Sequence, residues 1–142
     1  MKIAEKVIEE RIEILNSYIQ KNENSNDPTI LMNMSSAIYT KDLFEKLNKS
    51  IVENNYEEIS ELLPDTILRL IQRNKELLEK YDNIILNLND QDKNEYQKVK
   101  EDVLSYLKEY EEALNEIQTL VENTKNIDYL HDYYYNNEEE DV

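Results

Sequence analysis

Two long segments in the second half of the chain carry apolar residues at spacings that alternate between three and four. This period is typical of amphipathic helices, because residues three and four apart share one helix face. Further apolar residues broaden both seams, which suits a bundle better than a bare two-stranded coiled coil. The first seam is Ile67, Leu70, Asn74, Leu77, Tyr81, Ile84 and Leu88, and the second is Tyr96, Val99, Val103, Tyr106, Tyr110, Ala113, Ile117 and Leu120.

The link between the two seams is short and polar, with the sequence Asn-Asp-Gln-Asp at 89–92. Short connections make neighbouring helices antiparallel, so we expect a long helical hairpin with arms at about 64–88 and 92–124. The second arm, of about 30 residues, would be roughly 45 Å long. In this hairpin Leu77 and Ile84 are expected to pack against Val103, Tyr106 or Tyr110.

The first half of the chain predicts shorter helices. An apolar stripe over 2–20 predicts the first helix, and Asp27 followed by Pro28 predicts the start of the second. Residues 28–54 form either one helix or two, with a break near Thr40. Asn55 and Glu58 resemble a capping box for a short helix.

We therefore predict an all-α fold, with a single-domain helical bundle at 1–126 and an acidic, tyrosine-rich tail at 127–142.

Missing residue types exclude many kinds of active site. The chain has no glycine, which excludes phosphate-cradling loops, dinucleotide-binding fingerprints and nucleophile elbows. It has no cysteine, which excludes thiol nucleophiles, disulfides and thiolate zinc sites. The sequence therefore predicts a protein that is not an enzyme and needs no cofactor.

One histidine raises the question of a metal site. Asp128 lies three residues before His131, and Asp132 or Glu122 could join them. Two ligands do not make a site, and a lone histidine near a chain end is usually an ordinary surface residue. We expect no bound metal.

Negative charge is the most pronounced feature of the composition. The chain has 32 acidic and 16 basic residues, and residues 109–142 hold eleven acids and one base. Acidic residues recur every seven positions at Asp102, Glu109 and Glu116, and Glu112 lies beside the last two, so that Glu109, Glu112 and Glu116 have neighbours roughly 5–6 Å apart. That spacing resembles successive phosphates of a nucleic acid strand, so this face is predicted to bind a partner. The alternative is a solvated face that keeps the protein soluble.

Two further expectations concern this acidic surface. Reversing Glu109, Glu112 and Glu116 to lysine is expected to leave the fold intact. Tyr133, Tyr134 and Tyr135 have no place in a periodic seam, and tyrosines beside acids suit contact with an arginine-rich partner. The alternative for these tyrosines is that some pack on the bundle and the others are merely exposed.

The leading functional hypothesis is a non-enzymatic inhibitor or adaptor that binds the basic surface of a nucleic-acid-binding protein. Phage-encoded nucleic-acid mimics and anti-CRISPR-type antagonists have this size and charge. The alternative is a structural or chaperone-like helical subunit that binds another helix through its hairpin. Net negative charge argues against nucleic acid or membrane lipid as the direct ligand.

The expected location is the cytoplasm, in a bacterial host cell if the protein is phage-encoded. No apolar run approaches the roughly 18–20 residues of a membrane span, and residues 1–6 lack the apolar core of a signal peptide. Lysine outnumbers arginine 13 to 3, a bias of AT-rich genomes that suggests a low-GC bacterium or its phage.

Overall fold

The protein is described by a computed structural model, which gives the backbone of residues 2–140 and the side chains of residues 2–123. The described backbone is helical apart from short connections and contains no strand, which confirms the all-α prediction. The elements are α1 (Lys2–Asn22), α2 (Pro28–Val52), α3 (Tyr56–Leu62), a 3-10 turn (Leu63–Asp65), α4 (Ile67–Ile85) and α5 (Asp90–Glu140).

Side-chain caps set the starts of two helices where the sequence predicts them. The Asp27 carboxylate accepts a hydrogen bond from the Thr29 N–H at 2.9 Å, with Pro28 in the first turn of α2. The Asn55 side-chain oxygen accepts from the Glu58 N–H at 3.3 Å and starts α3. Residues 28–52 form one helix. The Thr40 hydroxyl does not cap a second helix, because it donates a hydrogen bond to the Ser36 carbonyl of the same helix at 2.8 Å.

Asparagine closes α2 in a position that usually belongs to glycine. Asn54 has a φ of 55°, in the left-handed region. Its N–H donates to the Ile51 carbonyl, and the next N–H, of Asn55, donates to the Ser50 carbonyl at 2.9 Å. This is the Schellman pattern, and asparagine tolerates the left-handed conformation better than most residues. A chain without glycine therefore still ends this helix sharply.

The hydrophobic core lies where α1, α2 and α3 meet the start of α4 and residues 113–121 of α5. Both buried hydroxyl groups are satisfied within their own segment: Ser50 donates to the Lys46 carbonyl at 2.8 Å and Thr66 to the Leu62 carbonyl at 2.7 Å. The core is thus formed by α1, α2 and α3 packed around the base of the α4–α5 pair. Its largest fully buried apolar side chains are Val7, Ile8, Phe44, Leu47, Ile59, Ile67 and Ile117.

Helices α4 and α5 contact each other in the order of an antiparallel hairpin. Lys75 pairs with Glu111 at 4.0 Å, the rings of Tyr81 and Tyr96 lie 6.1 Å apart, and Asp82 pairs with Lys100. Lys75 in the middle of α4 thus meets residue 111, whereas Tyr81 and Asp82 near its end meet residues 96 and 100. The α5 backbone is helical to Glu140, through the predicted boundary at 126. The division into bundle and tail stays a prediction.

The far part of the hairpin is more exposed than the seams predict. We call residues 72–106 the distal arm; none of them is buried. Leu77 and Ile84, expected to pack against α5, are 38% and 39% exposed, whereas Ile67 and Ile117 of the same seams are fully buried. The physical reason is that only two helices are present there, so each seam is covered from one side alone.

Candidate functional site

Helix α1 packs across α5 next to residue 106, at the end of the distal arm that is nearest the core. Two glutamates of α5 bind α1 at this point. The Glu116 carboxylate accepts hydrogen bonds from the backbone N–H groups of Ile3 at 3.0 Å and Ala4 at 3.1 Å. Glu109 forms an ion pair with Lys6 at 2.7 Å. Hydrogen bonding to Glu109 raises the pKa of Lys6 above its ordinary value. Both glutamates therefore act inside the molecule.

Glu116 caps the N-terminus of α1, although it belongs to a different helix, α5. The first N–H groups of a helix lack partners within it, and a carboxylate at that end also meets the positive end of the helix dipole. Reversing Glu116 to lysine would remove this cap and place a positive charge beside it. The expectation that charge reversal at Glu109, Glu112 and Glu116 leaves the fold intact is therefore corrected.

The other two predicted carboxylates, Asp102 and Glu112, differ from this pair. Both are exposed, and neither forms an ion pair with a described residue. Glu112 lines a shallow recess with Lys2 and Lys108, so positive charge lies close to it. Asp102 lies beyond the part of α5 that contacts α1. Partner binding by all four carboxylates stays a prediction, and Asp102 is the one best placed for it.

Acidic and apolar side chains alternate along the exposed face of α5 in the distal arm. Val99 and Tyr106 are 43% and 53% exposed. Asp102 is three residues from one and four from the other, so all three share a face. Glu95, also exposed, continues this face four residues before Val99, and exposed Lys98 lies on it between Glu95 and Asp102. The facing seam of α4 supplies the partly exposed Leu77 and Ile84, with Lys80 between them in sequence.

An open groove of about 800 Å³ joins the distal arm to α1. Its apolar lining includes Ile14, Tyr106 and Tyr110, and the two tyrosine rings are stacked with centroids 6.4 Å apart. Burial raises the pKa of Tyr110 above its ordinary value. Glu10 and Glu13 of α1 also line the groove. Since Tyr106 belongs to both the groove and the arm, the two form one continuous surface.

The part played by α1 in this surface was missed by sequence reasoning. The acidic residues Glu10 and Glu13 lie outside the apolar stripe of α1. Their positions in the sequence indicate only that they are not core residues. Their place beside Tyr106 and Tyr110 depends on the angle at which α1 crosses α5. No pattern within a single segment carries that information.

Several predicted residues lie outside the described side chains. These are Tyr133, Tyr134 and Tyr135 of the proposed partner contact, and Asp128, His131 and Asp132 of the metal alternative. The fourth member of that alternative, Glu122, is exposed. Within the described residues, no group of three or more metal-type side chains is close enough together to hold an ion.

Comparisons with protein-family models, with curated proteins and with solved structures find no match to this chain. Among the described helices, none combines the length and the apolar character needed to cross a membrane. The surface described above offers apolar and acidic side chains together on one helical pair. Such a surface is suited to binding a helix that has complementary apolar and basic sides.

Proposed function

We propose that the protein is a non-enzymatic binding protein whose distal arm binds a basic amphipathic helix of a partner protein. The observation that carries the proposal is the exposed seam of the arm, where Val99 and Tyr106 flank Asp102. Apolar residues on the partner would bury this seam, and its lysines or arginines would pair with the carboxylates. The basic side of the partner would face α5, because residues 90–106 hold five acidic and three basic residues, whereas residues 72–85 of α4 hold three of each.

The contact between α1 and α5 is an internal example of such binding. α1 is itself a helix with an apolar stripe, and its Lys6 pairs with Glu109 of α5. Asp102 lies one heptad before Glu109, on the same face of α5. A partner helix that crosses the arm next to α1, beyond Tyr106, would offer a basic residue to Asp102 in the way that Lys6 meets Glu109. The groove at Tyr106 is where the two helices would adjoin.

Overall charge favours a basic partner. A net charge of -16 attracts positive surfaces over about a Debye length, roughly 8 Å at physiological ionic strength. Nucleic-acid-binding proteins are the largest source of such surfaces, and a protein that covers one would compete with nucleic acid. Inhibition or adaptation of such a partner, in a bacterial host cell, is the finer form of this proposal.

The structural or chaperone-like subunit is the second candidate. The exposure of Leu77 and Ile84 favours it, because these residues offer apolar contact on α4, a different helix from the one that carries Asp102 and Glu95. This candidate predicts binding that depends on apolar burial and tolerates salt. The first candidate predicts binding that weakens steeply as salt is raised.

A defined peptide tests the proposal. The probe is a labelled synthetic helix of about 20 residues, roughly 30 Å long, with leucines at alternating spacings of three and four and lysines beside them. Fluorescence anisotropy at low salt measures its dissociation constant with the full chain. We expect the double variant Glu95→Lys/Asp102→Lys to bind at least about tenfold more weakly, a loss of about 1.4 kcal/mol.

The matched control is Glu23→Lys/Glu61→Lys, which makes the same change in net charge at exposed positions away from the arm. It should keep the dissociation constant within about a factor of two at low salt, where exposed charges are least screened. Equal losses in both double variants would mean that the peptide responds to net charge alone, and the arm would then not be the binding surface. A salt series on the unchanged chain separates the two candidates.

A further inference from the structure

All three arginines of the chain line one small cavity. Arg11 comes from α1, and Arg69 and Arg73 come from α4. The cavity has a volume of about 60 Å³ and lies where α1, α2 and the start of α4 meet. That is several times the space a single water needs. The chain has twice as many acidic as basic residues, so three arginines around one cavity, with the charge of Arg73 acting on Arg11, form an unusual concentration of positive charge.

None of these arginines forms an ion pair with a described carboxylate. Every ion pair among the described residues uses a lysine. Asp65 also lines the cavity, four residues before Arg69, but its carboxylate is not within 4.0 Å of a guanidinium nitrogen. The charged lining is therefore three cations and one anion. The lining thus has two more positive than negative charges.

One nitrogen of this cluster is also buried without a partner. Arg11 Nε is the single buried side-chain nitrogen or oxygen, among the described residues, that lacks a hydrogen-bond partner. Burial and then the charge of Arg73 lower the pKa of Arg11 from its ordinary value. A buried, unpaired polar group is costly, and negative charge close to the Arg11 guanidinium would offset part of that cost. The arrangement suits an acceptor with several oxygens and negative charge.

We propose that this arginine cavity binds a small tetrahedral oxyanion of the phosphate class, either free or as the terminal group of a small molecule. Arginine binds such groups well because its planar guanidinium can donate hydrogen bonds to two oxygens at once. The hydroxyls of Ser36 and Tyr39 on α2 also line the cavity and add potential donors. A bound anion would contact α1, α2 and α4 together and so stabilise the base of the bundle. This inference does not depend on the proposed function of the arm.

Thermal unfolding of the full chain in sodium phosphate at pH 7, against sodium chloride of equal ionic strength, tests the proposal. We expect a saturable rise in the melting temperature of a few °C or more with phosphate and none with chloride, because a ligand of the native state stabilises it. A titration calorimetry experiment gives the dissociation constant for phosphate. Sulfate, which is also tetrahedral, should act in the same way.

The test variant is Arg69→Gln/Arg73→Gln, in which both changed residues are exposed and outside the core. It should bind phosphate at least about tenfold more weakly, a change of about 1.4 kcal/mol. The matched control Lys80→Gln/Lys98→Gln removes the same charge at exposed positions outside the cavity and should keep the phosphate effect. Phosphate that acts no differently from chloride, or equally on both variants, would overturn the proposal.

A third titration distinguishes the two sources of the anion. Glycerol phosphate carries the same group on a small molecule. Binding at least as tight as that of inorganic phosphate supports a carried phosphoryl group as the ligand. Weaker binding supports the free ion.

Discussion

The base and the distal arm of the α4–α5 hairpin have the same apolar period and different surroundings. In the base, Ile67 and Ile117 are fully buried against α1, α2 and α3. In the arm, Val99 and Tyr106 continue the same seam and stay about half exposed. The difference teaches that periodicity identifies the apolar face of a helix but not whether other helices cover it.

The crossing of α1 over α5 explains why the cover ends where it does. Helix α1 has 21 residues and is about 30 Å long, so it would cover about 20 residues of α5 if it ran along that helix. The angle between the two helices, and not the length of α1, therefore ends the contact near Tyr106. Lys6 and the first N–H groups of α1 fix its start at Glu109 and Glu116. The part of the α5 seam that precedes Tyr106 in sequence, residues 96–103, therefore contacts α4 alone.

The largest expected effect separates the two regions by stability. Ile117→Ala should lower the free energy of unfolding by about 2–5 kcal/mol, because it leaves a cavity in the core. Leu77→Ala, in the arm, should cost about 1 kcal/mol or less, since much of that side chain already meets water. Urea unfolding followed by circular dichroism measures both. Equal losses would show that the arm is as well packed as the base.

A smaller effect tests how α1 is fixed to the base. Glu116→Ala removes the carboxylate that accepts from the Ile3 and Ala4 N–H groups and should cost about 1–2 kcal/mol. Glu112→Ala, on the same face and exposed, should be nearly neutral and serves as the control. If the two variants have the same stability, Glu116 does not cap α1.

The smallest effect concerns alkaline pH at the junction of base and arm. The pKa values of Lys6 and Tyr110 are raised above their ordinary 10.5 and 10.0, by hydrogen bonding to Glu109 and by burial respectively. Both groups hold their protons more tightly when the protein is folded. Their contribution to stability is therefore complete below those ordinary values and is lost as pH rises through the raised ones.

Melting temperatures measured from pH 8 to pH 11 report this loss. In Glu109→Gln the part due to Lys6 should disappear, so the fall at alkaline pH should be shallower than in the unchanged chain. A fall of the same size in Glu109→Gln would mean that the pair with Lys6 adds nothing to stability. A rise with pH would contradict the account of both groups.

Local features of the fold follow well from sequence, and contacts between distant segments do not. Asp27 and Asn55 are caps because their side chains act on N–H groups two or three residues away. The capping role of Glu116 depends on a helix more than a hundred residues earlier. Its spacing with Asp102 and Glu109 is identical whether it meets water, a partner or α1. The meeting of Arg11 with Arg69 and Arg73 is hidden from sequence for the same reason.

Native-state hydrogen exchange of α4 and α5 amides, with and without the synthetic basic helix, tests most directly whether the arm is an open binding surface. Amides of residues 97–106 should exchange through local opening in the free chain, while those of residues 113–121 should require global unfolding. Saturating peptide should raise protection in residues 97–106 and leave residues 113–121 unchanged. Equal protection of the two stretches in the free chain, or peptide-induced protection confined to α1, α2 and α3, would contradict the account.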